Sequence, residues 1–203
     1  EISYSNGTYT LLKNLDCSEY QGVPLRIRSN VTLDGGGYMI TGGVAYPVIS
    51  MGTVNDVTVR NATFGGGYTA VLVGGTTSNI TLTNLKGGPG IAFEQDGNHS
   101  NVVFTDNIMH GPGAGYNNGF QLFSINGLTV RNNIARNYGN AGMYFLRITG
   151  NLIIENNAVY GNSYGVLFNA VNNVSINQNS FNFNAGSNYY GHLRFINSNN
   201  LTV

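Results

Sequence analysis

The sequence predicts an all-β solenoid: a chain wound into stacked coils whose strands pair in parallel. Three observations carry the prediction. A four-residue phrase recurs eight times, at Asn30-Val31-Thr32-Leu33, Asp56-Val57-Thr58-Val59, Asn79-Ile80-Thr81-Leu82, Asn101-Val102-Val103-Phe104, Gly127-Leu128-Thr129-Val130, Asn151-Leu152-Ile153-Ile154, Asn173-Val174-Ser175-Ile176 and Asn200-Leu201-Thr202-Val203. Counted from the first apolar residue of each phrase, the steps are 26, 23, 22, 26, 24, 22 and 27 residues, a period that makes each repeat one coil. Inside the phrase apolar and polar residues alternate. Successive strand residues face opposite ways, so Val57 and Val59 point in and Thr58 points out.

Each phrase runs into a bend at Asn61, Asn84, Asp106, Asn132, Asn156 or Gln178, with a further Asn following at Asn107, Asn133, Asn157 and Asn179. Asn tolerates the left-handed backbone that a sharp bend demands, and amides stacked in register can hydrogen-bond along the column. An apolar residue then re-enters the core at Phe64, Met109, Val159 and Phe181. A second strand follows, opened by glycine at Gly90-Ile91-Ala92-Phe93, Gly119-Phe120-Gln121-Leu122, Gly142-Met143-Tyr144-Phe145 and Gly165-Val166-Leu167-Phe168. Step variation falls in the segments outside the phrase, where loops absorb insertions. Strands about 4.8 Å apart over seven or eight steps give a rod of roughly 35–40 Å. Two charge pairs in matching positions of neighbouring coils, Asp34 with Arg60 and Arg131 with Glu155, support the register.

Residues 1–22 depart from the repeat and read as an irregular coil or cap; residues 23–203 read as about eight coils, open at the C-terminal end. The absence of a signal pattern after Glu1 is what a mature or trimmed chain would show. Only 9% of residues are charged, against roughly 25% in ordinary soluble domains. Nine basic and nine acidic residues cancel, which points to neither nucleic acid nor an anionic membrane surface. No apolar run is long enough to span a membrane as a helix. Cys17 is the single cysteine and has no internal disulfide partner. Sequons at Asn6, Asn30, Asn61, Asn79, Asn98, Asn173 and Asn200 suit a secreted glycoprotein, although an Asn-rich repeat generates such triplets on its own.

The segments Gly7-Thr8-Tyr9-Thr10-Leu11-Leu12, Arg28-Ser29-Asn30-Val31-Thr32-Leu33-Asp34-Gly35-Gly36-Gly37 and Asn151-Leu152-Ile153-Ile154-Glu155-Asn156-Asn157 resemble the right-handed parallel β-helix repeat proteins, in particular NosD-like and archaeal-type cell-surface members. The resemblance covers nearly the whole chain and implies a right-handed single-stranded parallel β-helix. It implies little about chemistry, because similar coils serve lyases, hydrolases, epimerases, adhesins and envelope proteins.

Glycan-cleaving β-helices need carboxylates clustered on one outer face. Asp34-Gly35-Gly36-Gly37 resembles a stretch of polygalacturonases, but their later Asn-Thr-Asp, Asp-Asp, Gly-His-Gly and Arg-Ile-Lys elements are missing, so it reads as a glycine-rich turn. Met39, Met51, Met109 and Met143 alternate with core residues and read as packing. No catalytic residue, metal site or cofactor is assigned. The outward Thr column (Thr32, Thr58, Thr81, Thr129, Ser175, Thr202) is interrupted by Val103 and Ile153 and reflects strand propensity.

Two surface features remain as candidate ligand contacts. One is the polar segment Glu94, Asp96 and His99, with His110 and Arg147 as neighbours. The other is a tyrosine edge: Tyr46, Tyr68, Tyr116, Tyr164 and Tyr190 precede the second strand, and Tyr144 points out of it. The leading expectation is an extracellular or cell-surface, non-enzymatic structural protein of the envelope, associating with further copies of itself or with envelope components. The alternative is a polysaccharide-binding or polysaccharide-degrading module using Tyr116, Tyr144, Tyr164, Glu94, Asp96 and His99.

Overall fold

The computed structural model describes residues 2–111, 118–182, 184 and 192–202. It is built of strands wound into about seven turns of a right-handed parallel solenoid. Among the described residues three sheets run along its axis, with ten, seven and eight strands. The ten-stranded sheet holds the recurring phrases, from Thr8–Leu11 and Val31–Asp34 through Val54–Arg60 to Asn199–Thr202. Its pairing is in register phrase by phrase: Val57 lies beside Ile80, Ile80 beside Val102, and Leu152 beside Val174. The eight-stranded sheet holds the second strands, such as Ile91–Phe93, Phe120–Phe123 and Ala141–Leu146.

The seven-stranded sheet was not anticipated. Where the sequence shows two strands per coil, the residues just past the Asn bend pair as well, for example Thr63–Gly66, Lys86–Gly87 and Ile108–His110. These strands have two to four residues and typically one inward side chain, too few to display alternation. The single core residue seen in sequence (Phe64, Met109, Val159) is that inward side chain. In the last coil this sheet is reduced to a bridge between Ala158 and Ser180.

Within residues 1–22, Thr8–Leu11 and Leu15–Cys17 join the parallel sheets as a first coil, beside Val31–Asp34 and Met39–Gly42. Ile2–Ser5 folds back antiparallel on Thr8–Leu11 and lines the edge of the long sheet.

The bends explain the composition. Positive φ angles recur in columns: Asn30, Asp56, Asn79, Asn101, Asn173 and Asn200 at the first position of the phrase, and Asn61, Asn84, Asp106, Asn132, Asn156 and Gln178 after it. Left-handed backbone strains most side chains but is accessible to Asn and Asp, so a chain that turns this often selects them. The bend amides also form a surface ladder: Asn61 donates to Asp34, Asn84 to Asn61, and Asn132 to Asp106.

A second ladder lies inside. The Asn133 amide donates to Asn157 Oδ1 (3.0 Å) and to the Phe104 carbonyl (2.9 Å), and its own oxygen accepts from the Asn107 backbone and side chain. Asn107, Asn157 and Asn179 repeat the arrangement, which satisfies buried backbone groups of the bend. At its lower end Asn107 Oδ1 accepts from the Leu85 N–H. The core between the sheets is a stack of Val, Ile, Leu and Phe, including Phe145, Phe168 and Phe195 with centroids 5.0 and 4.6 Å apart and nearly parallel rings. Both expected ion pairs form, Arg60–Asp34 and Arg131–Glu155, each at 2.8 Å.

Candidate functional site

In-register stacking turns every outward position into a column. On the eight-stranded sheet one such column reads Arg26, Ser50, Leu72, Ala92, Gln121, Tyr144, Leu167 and Arg194. Tyr144 is half-buried there, its ring edge-on to Phe123 at 4.9 Å. Gln121 beside it accepts from the Asn118 amide at 3.1 Å. Tyr164, also half-buried, stands one coil on at the start of Tyr164–Asn169, its N–H donating to the Asn140 carbonyl. Tyr116 and Tyr190 lie outside the described residues.

The polar segment 94–99 does not act as one cluster. Glu94 and Asp96 are exposed on a turn, whereas His99 is fully buried and offers nothing to a ligand in solvent. Alternation in Asn98–Thr105 sends His99 inward, in the column that holds Val54, Thr77 and Ile125. The Glu94 carbonyl, 3.4 Å from Nε2, can only accept, so the neutral ring carries its proton on Nε2. Nδ1 then accepts from the Thr77 hydroxyl at 2.9 Å, and the ring packs edge-on to Phe93. Burial lowers the His99 pKa, partly offset by the Glu94 carbonyl. Arg147 is a neighbour of this segment, its guanidinium donating to the Gln95 carbonyl at 3.1 Å alongside the Ser124 hydroxyl at 2.7 Å. His110 instead faces a different region.

That region is the corner between the seven- and eight-stranded sheets. A cleft of about 240 Å³ is lined there by Gly66, Gly67, Tyr68, Gly88, Pro89, Gly90, His110 and Tyr138. A second, of about 270 Å³, continues over the sheet face past Tyr68 and Gly90 to Glu94, Asn118 and Gln121. Tyr68 stands between the two and is 67% exposed. Tyr138 does the opposite. Its ring is buried over Gly111 and Gly119, its hydroxyl donates to the Gly88 carbonyl, and burial pushes the phenol pKa far up.

Sequence reasoning placed Tyr68 on the tyrosine edge but missed the cleft beside it, because that cleft is made by side chains that are not there. The available signal was Gly65-Gly66-Gly67 and Gly87-Gly88-Pro89-Gly90 falling in the same place of adjacent coils. Among the described residues no group of three or more His, Cys, Asp or Glu is placed to hold a metal ion. Among the same residues no helix is long and apolar enough to cross a membrane.

The geometry agrees with the family comparison, in which the family described as "Right handed beta helix region" matches residues 47–202. The chain belongs to the right-handed beta helix family. No curated protein and no solved structure matches it. The two coils before Pro47 lie outside that match yet pair with the sheets like those within it. Family membership establishes the coil and leaves the chemistry of its faces to be argued from this chain's residues.

Proposed function

We propose that this chain is a non-enzymatic structural solenoid of the cell envelope, close in kind to the NosD-like and archaeal-type surface proteins, that works outside the cell as a stiff rod and associates with further copies of itself. The observation that carries this reading is the internal asparagine ladder. Four consecutive coils are joined through Asn107, Asn133, Asn157 and Asn179, and the first three, buried in the bend, are each hydrogen-bonded to the coil on either side. Such contacts resist shear between coils in a way that apolar packing alone does not, because sliding leaves buried donors unpaired. A chain with 9% charged residues and seven sequons supports an extracellular setting.

Sedimentation and negative-stain microscopy over a concentration series test the reading. Rods that lengthen by whole units as concentration rises are expected. A strictly monomeric particle at millimolar concentration removes the self-association, and hydrolysis or elimination activity on a polysaccharide panel removes the non-enzymatic assignment.

A further inference from the structure

The exposed apolar side chains of the described chain are distributed unevenly. Ten of the eleven large ones lie between Ile2 and Tyr68; the eleventh is Val103. Three of the ten are tyrosines at one corner of three successive coils: Tyr20 (57% exposed), Tyr46 (38%) and Tyr68 (67%). They precede Leu25–Ile27, Ile49–Met51 and Val71–Val73. Tyr46 and Tyr68 are tied backbone to backbone, the Tyr68 N–H donating to the Tyr46 carbonyl at 3.0 Å. Neighbouring coils therefore hold these two residues about 4.8 Å apart along the axis. Three coils beyond Tyr68, the corner tyrosine Tyr138 is folded under and buried. Burial is thus available to a tyrosine at this corner, and the first three coils do not use it.

Tyr68 opens onto the cleft whose floor is glycine. A Cβ at Gly66 would strike the Gly42 carbonyl, one at Gly67 would lie 2.7 Å from Val48, and one at Gly90 would strike the Asn118 carbonyl. Close coil packing therefore strips side chains from three positions around one aromatic ring. What remains is an aromatic wall, peptide groups, and the imidazole of His110.

Among the described residues no Lys or Arg lines either cleft. The buried Tyr138 phenol stays protonated. The Asn137 amide donates to His110 Nε2 at 2.6 Å. Among the described residues, the one formal charge lining the adjoining cleft is the Glu94 carboxylate, which repels anions.

We propose that this corner binds a neutral pyranose chain, one ring lying against Tyr68 over Gly88–Gly90 and the next running past Glu94, Asn118 and Gln121. A sugar ring has an apolar C–H face that suits the exposed phenol and a rim of hydroxyls that suits peptide groups, amides and one carboxylate. Each cleft alone is smaller than an ordinary ligand pocket, and the two together reach the lower end of that range. The site is independent of the rod's role in the envelope.

Titration calorimetry with cellohexaose, mannohexaose and maltohexaose, and with hexagalacturonate as the acidic comparison, tests the assignment. Saturable binding of at least one neutral hexasaccharide is expected, weakened at least tenfold in Tyr68→Ala. Gly88 is the one floor position that accepts a side chain, since its Cβ would meet only the His110 carbonyl at 3.5 Å. Gly88→Leu should therefore fill the cleft and abolish binding. Gly52→Ala, where an added Cβ meets nothing within 4 Å, should leave it unchanged. Failure to bind any neutral hexasaccharide, binding that survives both Tyr68→Ala and Gly88→Leu, or tighter binding of hexagalacturonate overturns the proposal.

Discussion

The same bend is held in two different ways along this chain. In the third and fourth coils its inner position is apolar, Ala62 and Leu85, both essentially without solvent exposure. In the next four coils the equivalent position is Asn107, Asn133, Asn157 and Asn179, whose amides bond from coil to coil. The backbone path is alike in both, with Asn61, Asn84, Asp106 and Asn132 all at φ between 51° and 59°. The apolar version requires only that a side chain fit. The amide version also requires that its neighbours be amides, so its stability is shared among coils and cannot be assigned to one of them.

The largest effect is expected from breaking the ladder at its centre. Asn133→Ala removes two acceptor contacts from Asn107 and two donor contacts, to Phe104 and Asn157, leaving several buried groups unpaired. At about 1–3 kcal/mol for a buried unsatisfied group, a loss of 3 kcal/mol or more is expected in urea unfolding. A loss under about 1 kcal/mol would mean that the ladder is decoration.

A smaller effect separates buried polarity that can titrate from buried polarity that cannot. Burial lowers the His99 pKa below its ordinary 6.5, so the folded chain favours the neutral ring. The stabilisation is then fully present above the unfolded pKa and is lost as pH falls below about 6.5 toward the folded value. Asp34 acts in a separate window. Slight burial works to raise its pKa but is outweighed by the Gly36 N–H, the Asn61 amide and Arg60, so its contribution fades only below about 3.8. Melting temperature measured from pH 7 to 5 should fall in the native chain and be flatter in His99→Gln. Equal slopes would remove His99 as the cause.

Leu85→Asn sharpens the comparison from the other side, by extending the ladder one coil into the apolar region. The new amide would meet Asn107, which already accepts from the Leu85 N–H. A cost near 1 kcal/mol is expected, well below that of Asn133→Ala, because the hydrogen bonds gained offset the lost apolar burial. A cost equal to Asn133→Ala would show that the two bends are not interchangeable. Arg131→Met should matter least. The Arg131–Glu155 pair is largely solvent-facing, so a change under about 1 kcal/mol in the same assay is expected, and it should vanish at high salt.

What the sequence revealed of this fold follows from how each element is encoded. Val57-Thr58-Val59 and its repeats announce themselves because alternation over three or more residues has one structural meaning. Lys86–Gly87 announces nothing, since two residues carry no period. The bend asparagines were legible as turns, and the following Asn as a stacking amide, from residue chemistry alone. The site was harder to read. His99 looked like part of a polar turn, because Glu94-Gln95-Asp96-Gly97-Asn98 is turn-like, yet its register beside Thr77 and Ile125 carries it into the core. The Tyr68 cleft depends on which coils lack side chains at one corner, a property of stacked coils that no single repeat displays.

Two contacts in the middle of the rod skip a coil. The Tyr138 hydroxyl reaches back fifty residues to Gly88, and the Arg147 guanidinium fifty-two to Gln95. In a stack held only by adjacent layers, unravelling that begins at a tip can proceed one layer at a time. Here it would have to release a stapled block, roughly residues 88–147, all at once. Pulled from its tips, the rod should shed its outer layers gradually and then give way through that block in one abrupt step.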